Sequence, residues 1–561
     1  MICQDKTKKI GLLLGPAIFF IILFLPIDEK EFNDIKSDQK KTADQKNINL
    51  SFSAKLVLAS TFWMAIWWLT EAIPIYVTAL LPIILFPSLS ITDLGDTAAS
   101  YADRIIFLFL GGFMLAKAVE KTQLHRRFAL NILNICGTSP KYIVAAFMIV
   151  TGILSGWMSN TATTMLMLPI AGAVISHIGI KSKEKNINRI KQNGNKYTEK
   201  SQIRTDTEEE RFGLCLMLSI AYSASIGGMA TLIGTPPNAI FASLSESMLD
   251  IEISFGQWLL IGLPISAISM VVIWFYMVHL GVKITDIKSI DQGKKIIKTK
   301  LNEIGKISMD EKIVAGVFIT TALAWITRGL FWEDFLPMID DSTIAIAAAI
   351  SLFLIPSKSS SRRHIEIEKE KHRIESYTYD NQSKKFNDKY LNDPKKLKNH
   401  LFPRILDWES AVSIPWGVLV LIGGGLALAN AFTETGLDKW ISNQLVFVEN
   451  LHYILIVFIV IGITIFFGEI ISNTATAALL IPITISLATT ISLDPLLLMI
   501  PLTIATSYGF IMPIGTPPNA IVFGSKYVTA PKMAKAGLPL DIIGIVLVTL
   551  LTTLIVPLIL S

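Results

Sequence analysis

Two polar words of five residues each occur twice in the chain, and they contain the residues best suited to binding small ions. Ser-Asn-Thr-Ala-Thr occupies 159–163 and recurs at 472–476, and Thr-Pro-Pro-Asn-Ala occupies 235–239 and recurs at 516–520. Hydroxyl, amide and backbone oxygens are hard, neutral ligands that suit a weakly held monovalent cation. Free N–H groups where a helix restarts suit an anion such as a carboxylate. One break in a helix can therefore bind both, without an acidic side chain.

Each Thr-Pro-Pro-Asn-Ala word also predicts an interrupted helix. Two successive prolines remove two backbone donors and prevent a continuous helix. The preceding glycine, Gly234 or Gly515, permits unusual backbone angles and the close approach of an ion. A single word of either kind is most often a packing cluster or a kink. Because both words recur at matching points of two apolar halves, we expect two ion shells flanking one central anion.

The composition places these words in a membrane. Of the 561 residues, 52% are hydrophobic and 17% are charged, and the mean hydropathy is +0.53, which predicts an integral membrane protein. The charges are concentrated at 27–53, 181–212 and 357–407, so the net charge of +5 describes loops and does not indicate nucleic-acid binding. The three cysteines lack metal-ligand spacing, and no catalytic motif such as HExxH indicates an enzyme.

The apolar runs predict an all-α fold with about eleven transmembrane helices, each of roughly 20 residues. We interpret the first run, 10–26, as a retained helix because no small-residue cleavage site follows it. Runs 139–180 and 452–490 are too long for one helix and carry a Ser-Asn-Thr-Ala-Thr word near the middle. Each therefore predicts a re-entrant helical hairpin with the word at its tip. The other two words lie in predicted broken helices, 212–242 and 495–523.

The matching words predict two inverted five-helix repeats. Residues 1–53 form the first membrane helix and an outer loop, and 54–282 form the first repeat. A cytoplasmic connector at 283–311 leads to the second repeat at 312–561, which contains a solvated cytoplasmic insert at 357–407. Because each repeat has an odd number of crossings, the second copy must be upside down relative to the first.

The distribution of charge predicts the orientation. With a cytoplasmic N-terminus, the predicted inner loops hold basic clusters such as Lys294-Lys295, and the outer loops hold acidic ones such as Asp340-Asp341. This is the positive-inside bias of membrane proteins. We therefore expect a multi-pass protein of the cell membrane with its N-terminus in the cytoplasm and its C-terminus outside.

The two pairs of words, together with Trp67-Trp68-Leu69-Thr70-Glu71-Ala72-Ile73-Pro74, resemble the divalent anion/sodium symporter family. Members of that family carry dicarboxylates, citrate or sulfate, and the resemblance covers nearly the whole chain. It implies a homodimer held together by a scaffold domain. It also implies a transport domain, built from the hairpins and broken helices, that slides elevator-fashion across the membrane.

The resemblance also assigns roles to individual residues. It implies one sodium shell made by Ser155, Ser159, Asn160 and the carbonyl of Gly234, and another made by Ser472, Asn473 and the carbonyl of Gly515. It implies that the substrate carboxylates meet Asn160, Thr161, Asn473 and Thr474, helped by Thr235 and Thr516.

Two further residues of the second repeat bear on its sodium shell. Gly468 stands where symmetry with Ser155 predicts a hydroxyl, so the second shell has one side-chain ligand fewer. Glu469, three residues before Ser472, is a candidate for orienting the second hairpin tip.

From these observations we expect secondary active transport of a divalent organic anion, driven by two or more Na⁺ ions. The doubled Ser-Asn-Thr element favours a C4 dicarboxylate such as succinate, malate or fumarate, because the short sulfate ion need not contact both copies. A sodium-independent dicarboxylate exchanger and a sodium-coupled sulfate or citrate transporter are the alternatives. A passive channel would need a continuous polar pore rather than two closed tips.

Overall fold

The computed structural model describes residues 2–25, 50–135, 137, 139–193, 199–284, 293–332, 335–358 and 403–560. Within these ranges the regular structure is helical, and an isolated bridge between Pro356 and Arg404 is the only β-type pairing. Residues 27–49 of the predicted outer loop and 359–402 of the predicted cytoplasmic insert lie outside the described residues.

The helices of the first half are α1 (Ile2–Phe24), α2 (Phe52–Thr70), α3 (Ile75–Thr78), α4 (Leu81–Ser88), α5 (Leu94–Ala99), α6 (Arg104–Lys121), α7 (Leu124–Ile135), α8 (Pro140–Ser155), α9 (Asn160–Asn193), α10 (Glu199–Gly228), α11 (Pro236–Leu249) and α12 (Phe255–Tyr276). Those that follow are α13 (Gly293–Ile304), α14 (Met309–Thr327), α15 (Asp341–Leu354), α16 (Trp408–Val412), α17 (Trp416–Thr435), α18 (Leu437–Gln444), α19 (Tyr453–Gly468), α20 (Asn473–Thr490), α21 (Leu496–Ala505), α22 (Pro517–Phe523) and α23 (Ala530–Leu560).

Local polar residues determine where several long helices begin. Ser254 accepts a hydrogen bond from the backbone N–H of Gln257, whose side chain accepts one from the N–H of Ser254, and this capping box starts α12. Ser308 and Glu311 form the same arrangement before α14. In both cases the box satisfies N–H groups that the first helical turn leaves without partners.

In the described part of the chain, seven helices are long and apolar enough to cross a membrane: Thr7–Phe24, Phe52–Thr70, Glu209–Gly228, Phe255–Gly281, Trp416–Thr435, Asn473–Thr490 and Ala530–Ile559. Shorter apolar helices occur at Ile75–Ser88, Pro140–Ser155, Asn160–Ser176, Asp341–Leu354, Tyr453–Gly468 and Leu496–Ala505. The prediction of an all-helical, multi-pass membrane protein is therefore confirmed at this level.

The chain forms two compact units. The first unit comprises 1–106, 132–299 and 416–561, and it contains all four repeated words. The second unit comprises 107–131 and 300–415. Its apolar core joins residues of α6, α14 and α15 to the segment before α16, and its fully buried members include Val314, Leu352 and Leu406.

A buried ion pair stabilises the second unit. The guanidinium of Arg127 donates to both carboxylate oxygens of Glu311, at 2.7 and 3.2 Å. The same guanidinium donates to the backbone carbonyls of Gly305 and Lys306. Through these four hydrogen bonds Arg127 fixes the turn that precedes α14 onto α7.

Candidate ion and anion site

Each repeated word lies at the start of a helix. α9 begins at Asn160 and α20 begins at Asn473, whereas α11 and α22 begin at Pro236 and Pro517. The backbone is extended at Ser472 before α20, at Thr235 before α11 and at Thr516 before α22, as expected for residues that cap a helix. The first N–H groups of all four helices therefore belong to, or directly follow, the polar residues of the words.

The serine of each Ser-Asn-Thr-Ala-Thr word caps its own helix. Ser159 Oγ accepts a hydrogen bond from the N–H of Ala162 at 3.2 Å, and Ser472 Oγ accepts one from the N–H of Ala475 at 3.3 Å. These matched caps fix the first turn of α9 and of α20 in the same way. They consequently place the asparagine that follows each serine at an equivalent position in both repeats.

Three oxygen atoms meet at the first predicted sodium shell. Ser155, the last residue of α8, is completely buried, and its Oγ lies 2.6 Å from Asn160 Oδ1 and 2.6 Å from the carbonyl oxygen of Ala224 on α10. A hydroxyl has one proton, so Ser155 donates to only one of these oxygens. The remaining close pair of oxygens is a partial ligand shell of the kind that a cation completes.

Gly234 packs tightly against the same cluster. A side chain at Gly234 would overlap the carbonyl oxygen of Gly228 and approach that of Gly156. Thr231 Oγ1 donates a hydrogen bond to the Gly156 carbonyl and so joins the α8–α9 link to the unwound segment between α10 and α11. The structure therefore brings together the parts of the chain that hold Ser155, Asn160 and Gly234.

The second predicted shell differs in its ligands. Asn473 Oδ1 is buried and has no hydrogen-bond partner among the described residues, so it retains its full capacity as an acceptor. Gly468 lies beside the unwound segment, where a Cβ atom would sit 3.4 Å from the carbonyl oxygen of Tyr508. No hydroxyl extends from that position. The asymmetry predicted from Gly468 is thus located next to the second break.

Glu469 is the strongest polar link between the second hairpin segment and the second unwound segment. Its Oε1 accepts from the N–H of Ile511 at 2.8 Å, and its Oε2 accepts from the N–H of Met512 at 2.7 Å. Asp541 Oδ1, on α23, accepts from the preceding N–H, that of Phe510, at 3.3 Å. Two buried acidic side chains therefore hold three successive backbone amides.

The predicted substrate-binding threonines lie at the same helix starts. Thr235 and Thr516 are buried, and Thr516 Oγ1 accepts a hydrogen bond from the N–H of Asn519 at 3.4 Å. Thr161 and Thr474, in the first turns of α9 and α20, are only partly buried. Their hydroxyls are thus more accessible than those of the two threonines that precede the prolines.

The two repeats pack across one another. α9, which starts with the first Ser-Asn-Thr-Ala-Thr word, contacts α22, which starts with the second Thr-Pro-Pro-Asn-Ala word. In the same way α20 contacts α11. The buried Tyr222 of α10 also donates a hydrogen bond from its hydroxyl to the carbonyl of Phe510, at 3.0 Å. Each repeat therefore supplies part of the surroundings of the other repeat's site.

Sequence reasoning did not identify several residues of this site. Ala224 contributes a backbone carbonyl, for which residue type carries no signal. Asp541 is the one acidic residue of α23, and acidic residues in membrane helices are functional candidates by default, so its type could have identified it. Asn238 and Asn519 belong to the two Thr-Pro-Pro-Asn-Ala words, but the sequence alone indicates no role for their side chains.

The helical fold, the membrane spans and the paired helix breaks define a multi-pass membrane protein of the transporter class. Residues 46–560 match the family described as the sodium:sulfate symporter transmembrane region. The chain belongs to this family, and the family resemblance predicted from the repeated words is confirmed.

Curated relatives match along more than nine-tenths of their length. A protein of Staphylococcus saprophyticus named sodium-dependent dicarboxylate transporter SdcS is 38% identical over 555 residues, which cover 98% of this chain and 92% of the relative. The protein of the same name from Staphylococcus aureus (strain USA300) is 37% identical over 570 residues, which cover 100% and 94% of the two chains. Both names contain the two ligands that the sequence predicts, sodium and a dicarboxylate.

A solved structure shares the fold. Neisseria gonorrhoeae MtrF, described as illuminating a class of antimetabolite efflux pumps, superimposes with a TM-score of 0.54 over 97% of this chain and 94% of its own. Only 11% of the aligned residues are identical, so this likeness concerns the fold alone.

Proposed function

We propose that the protein is a secondary active transporter that couples the movement of Na⁺ to the uptake of a C4 dicarboxylate such as succinate, malate or fumarate. The observation that carries the proposal is the pairing of four polar helix starts across two repeats, with a partial oxygen shell at Ser155, Asn160 and Ala224. The names of the whole-length relatives support both the ion and the substrate class over a sodium-independent exchanger.

The chemistry of the site suggests an order of binding. The first shell consists of neutral oxygens, which repel a carboxylate but attract a cation. A bound sodium ion would offset the negative potential of these oxygens and order the start of α9. The N–H groups of Asn160 and Thr161 and the Thr161 hydroxyl could then bind a carboxylate. Asn473 and Thr474 would receive the other carboxylate in the same way. The dianion would thus bind tightly only after sodium.

With more than two Na⁺ ions per dianion, each cycle would move net positive charge. The membrane potential would then contribute about 2.3 kcal/mol per elementary charge per 100 mV. This contribution adds to the chemical gradient of sodium and favours accumulation of the substrate inside the cell.

The finer architecture is part of the same proposal. We infer about eleven crossings, with re-entrant hairpins at 139–180 and 452–490 and broken helices at 212–242 and 495–523, in inverted repeats at 54–282 and 312–561. The breaks after Gly228 and Ala505 and the short links before Asn160 and Asn473 support it. We further infer a homodimer and an elevator-type transport domain. We also infer a cytoplasmic N-terminus and an outer C-terminus, and the charge bias of the loops supports this orientation.

Uptake of radiolabelled succinate into proteoliposomes tests the proposal directly. We expect accumulation only with an inward Na⁺ gradient, with stronger competition by unlabelled fumarate or malate than by sulfate or citrate. Asn160→Ala and Asn473→Ala should each abolish most of the uptake. Asn430→Ala is the matched control, because Asn430 is a partly buried asparagine outside the site that donates to Ser100 Oγ at 3.2 Å.

Three results would contradict specific parts of the proposal. Uptake that ignores Na⁺ but requires succinate inside the vesicles would identify an exchanger. Competition dominated by sulfate or citrate would change the substrate class. Equal loss of uptake in the Asn430→Ala control would remove the assignment of the two asparagines to the site.

A further inference from the structure

The asparagine of the first Thr-Pro-Pro-Asn-Ala word reaches back across the break in its helix. α10 ends at Gly228 and α11 begins at Pro236, so the intervening residues are unwound. Asn238 Nδ2 donates to the carbonyl of Thr231 at 2.8 Å and to that of Gly228 at 3.4 Å. One side-chain amide therefore closes the unwound segment that contains Gly234.

The asparagine of the second word makes the same pair of hydrogen bonds. Asn519 Nδ2 donates to the carbonyls of Gly509 and Met512, at 2.9 and 3.0 Å, and closes the segment that contains Gly515. In both repeats the two acceptors precede the asparagine by 10 and 7 positions. The arrangement is therefore a property of the repeat and not of one loop.

The chemistry of this contact requires an amide. Both side chains are completely buried, and their Oδ1 atoms have no hydrogen-bond partner among the described residues. The NH₂ group alone thus orients each side chain, by donating both of its protons to the backbone. An aspartate has the same shape but no donor, and it would place an oxygen against two carbonyl oxygens.

The two closed segments have different surroundings. In the first repeat the remaining polar links are neutral, namely the Thr231 hydroxyl on the Gly156 carbonyl and the Trp258 indole N–H on the Met229 carbonyl. In the second repeat the acidic side chains of Glu469 and Asp541 accept hydrogen bonds from the neighbouring amides. Both segments also share a backbone turn, in which the N–H of Gly234 donates to the carbonyl of Thr231 and that of Gly515 to the carbonyl of Met512. Of these side-chain links, the asparagine contact is the one that both segments share, so it is the feature that a shared task would preserve.

We propose that Asn238 and Asn519 are positioning residues, each of which holds one unwound segment in the shape that presents its glycine carbonyl to a sodium ion. The inference rests on the proposed function, because it gives the segments the role of ion ligands. Asn238 would set the Na⁺ affinity of the first shell by positioning the carbonyl of Gly234. Asn519 would set the Na⁺ affinity of the second shell by positioning the carbonyl of Gly515. In this assignment each asparagine acts through its NH₂ group on the backbone.

The test uses the full-length protein and three isosteric substitutions. Asn238→Asp and Asn519→Asp each remove both donors from one segment. Asn430→Asp makes the same chemical change at a partly buried asparagine outside the site and serves as the control. Na⁺ is the probe, and the first readout is the Na⁺ concentration that gives half-maximal succinate uptake.

Each aspartate variant at a break should raise that concentration about tenfold or more, while uptake at saturating Na⁺ is largely retained. The Hill coefficient for Na⁺ should also fall towards the value for the remaining shell. A residue that only stabilised the fold would instead lower uptake at all Na⁺ concentrations. If succinate uptake by Asn238→Asp and Asn519→Asp has the same Na⁺ dependence as uptake by the Asn430→Asp control, the inference is overturned.

Hydrogen exchange provides a second readout that does not depend on transport. Na⁺ should protect the amides of 229–235 and 506–516 in the unaltered protein. Asn238→Asp should lose protection in the first segment only, and Asn519→Asp in the second only. Loss of protection in both segments with either variant would contradict the assignment of one asparagine to one shell.

Two safeguards keep the outcomes separate. If an aspartate variant does not fold, Asn→Ala at the same position removes both donors without adding a charge and should also raise the required Na⁺ concentration; an unchanged value overturns the inference. If the unaltered protein itself shows neither Na⁺-dependent uptake nor Na⁺-dependent protection, the proposed function fails, and the inference fails with it. An intact Na⁺ response with unaffected variants refutes the inference alone.

Discussion

Replacement of Glu469 by glutamine should weaken the second ion shell far more than its small change in shape suggests. The carboxylate accepts the N–H groups of Ile511 and Met512 at 2.8 and 2.7 Å. A glutamine can accept only one of them, and its own NH₂ group must face the other donor. Glu469→Gln therefore loses one charge-assisted hydrogen bond and leaves one buried N–H without an acceptor.

A hydrogen bond to a charged group contributes about 1.5 to 3 kcal/mol. If the lost energy is needed to hold the segment before Gly515 in its ion-binding shape, the affinity of the second shell falls by about ten- to 150-fold. The hydrogen bonds of Ser155, Ser159 and Asn160 in the first shell involve none of these groups, so the affinity of that shell should remain unchanged. The expected result is a higher Na⁺ requirement combined with weaker cooperativity.

The assay is Na⁺-activated succinate uptake, with Na⁺-dependent thermal stability of the detergent-purified protein as a check on folding. Glu449→Gln, at an exposed position, is the matched control and should behave as the unaltered protein does. Glu469→Asp keeps the charge and should lose less affinity than Glu469→Gln. If Glu469→Gln and Glu449→Gln have the same Na⁺ dependence, the two amide contacts do not support the second shell, and the reasoning is wrong.

Three further substitutions test other parts of the structure. Gly468→Ser adds the hydroxyl that the second shell lacks, and the nearest backbone oxygen is 3.4 Å from the new Cβ. The Na⁺ concentration required for half-maximal uptake should fall by about two- to tenfold. An unchanged Na⁺ concentration would exclude the position as a ligand site. Gly234→Ala should abolish uptake because its Cβ overlaps a carbonyl, whereas Gly172→Ala, with no atom within 4 Å, should be neutral in the same assay. Arg127→Ala leaves Glu311 buried without its partner and should destabilise the second unit by about 3 to 5 kcal/mol, measured by thermal unfolding; a melting temperature within a degree of the unaltered protein would contradict this.

Much of the site could be predicted because its signals are local. Two prolines after a threonine fix a helix start within a few residues, and α11 and α22 indeed begin at Pro236 and Pro517. A serine before Asn160 or Asn473 indicates a cap for the same reason. These rules need no knowledge of distant residues, because each acts within one helical turn.

The remainder depends on contacts between distant residues. The carbonyl of Ala224 has no sequence signal, and its role appears only when α8 and α10 pack together. Glu469 was a candidate for orienting the hairpin tip, but its partners, the amides of Ile511 and Met512, are determined by tertiary packing. Sequence symmetry places Glu469 opposite Gly156, but it does not show which amides that acidic side chain contacts in the fold.

The crossed packing of the repeats has a consequence for the biogenesis of the protein. Tyr222 and its partner Phe510 are 288 residues apart, so at about 5 to 20 residues per second the ribosome needs roughly 15 to 60 seconds to deliver the second after the first. Until α20 and α22 have been made, the polar helix starts of the first half lack the contacts with these helices that surround them in the finished fold. A chain truncated before α20 should therefore be recognised by membrane quality control as unassembled, even though its first repeat is complete.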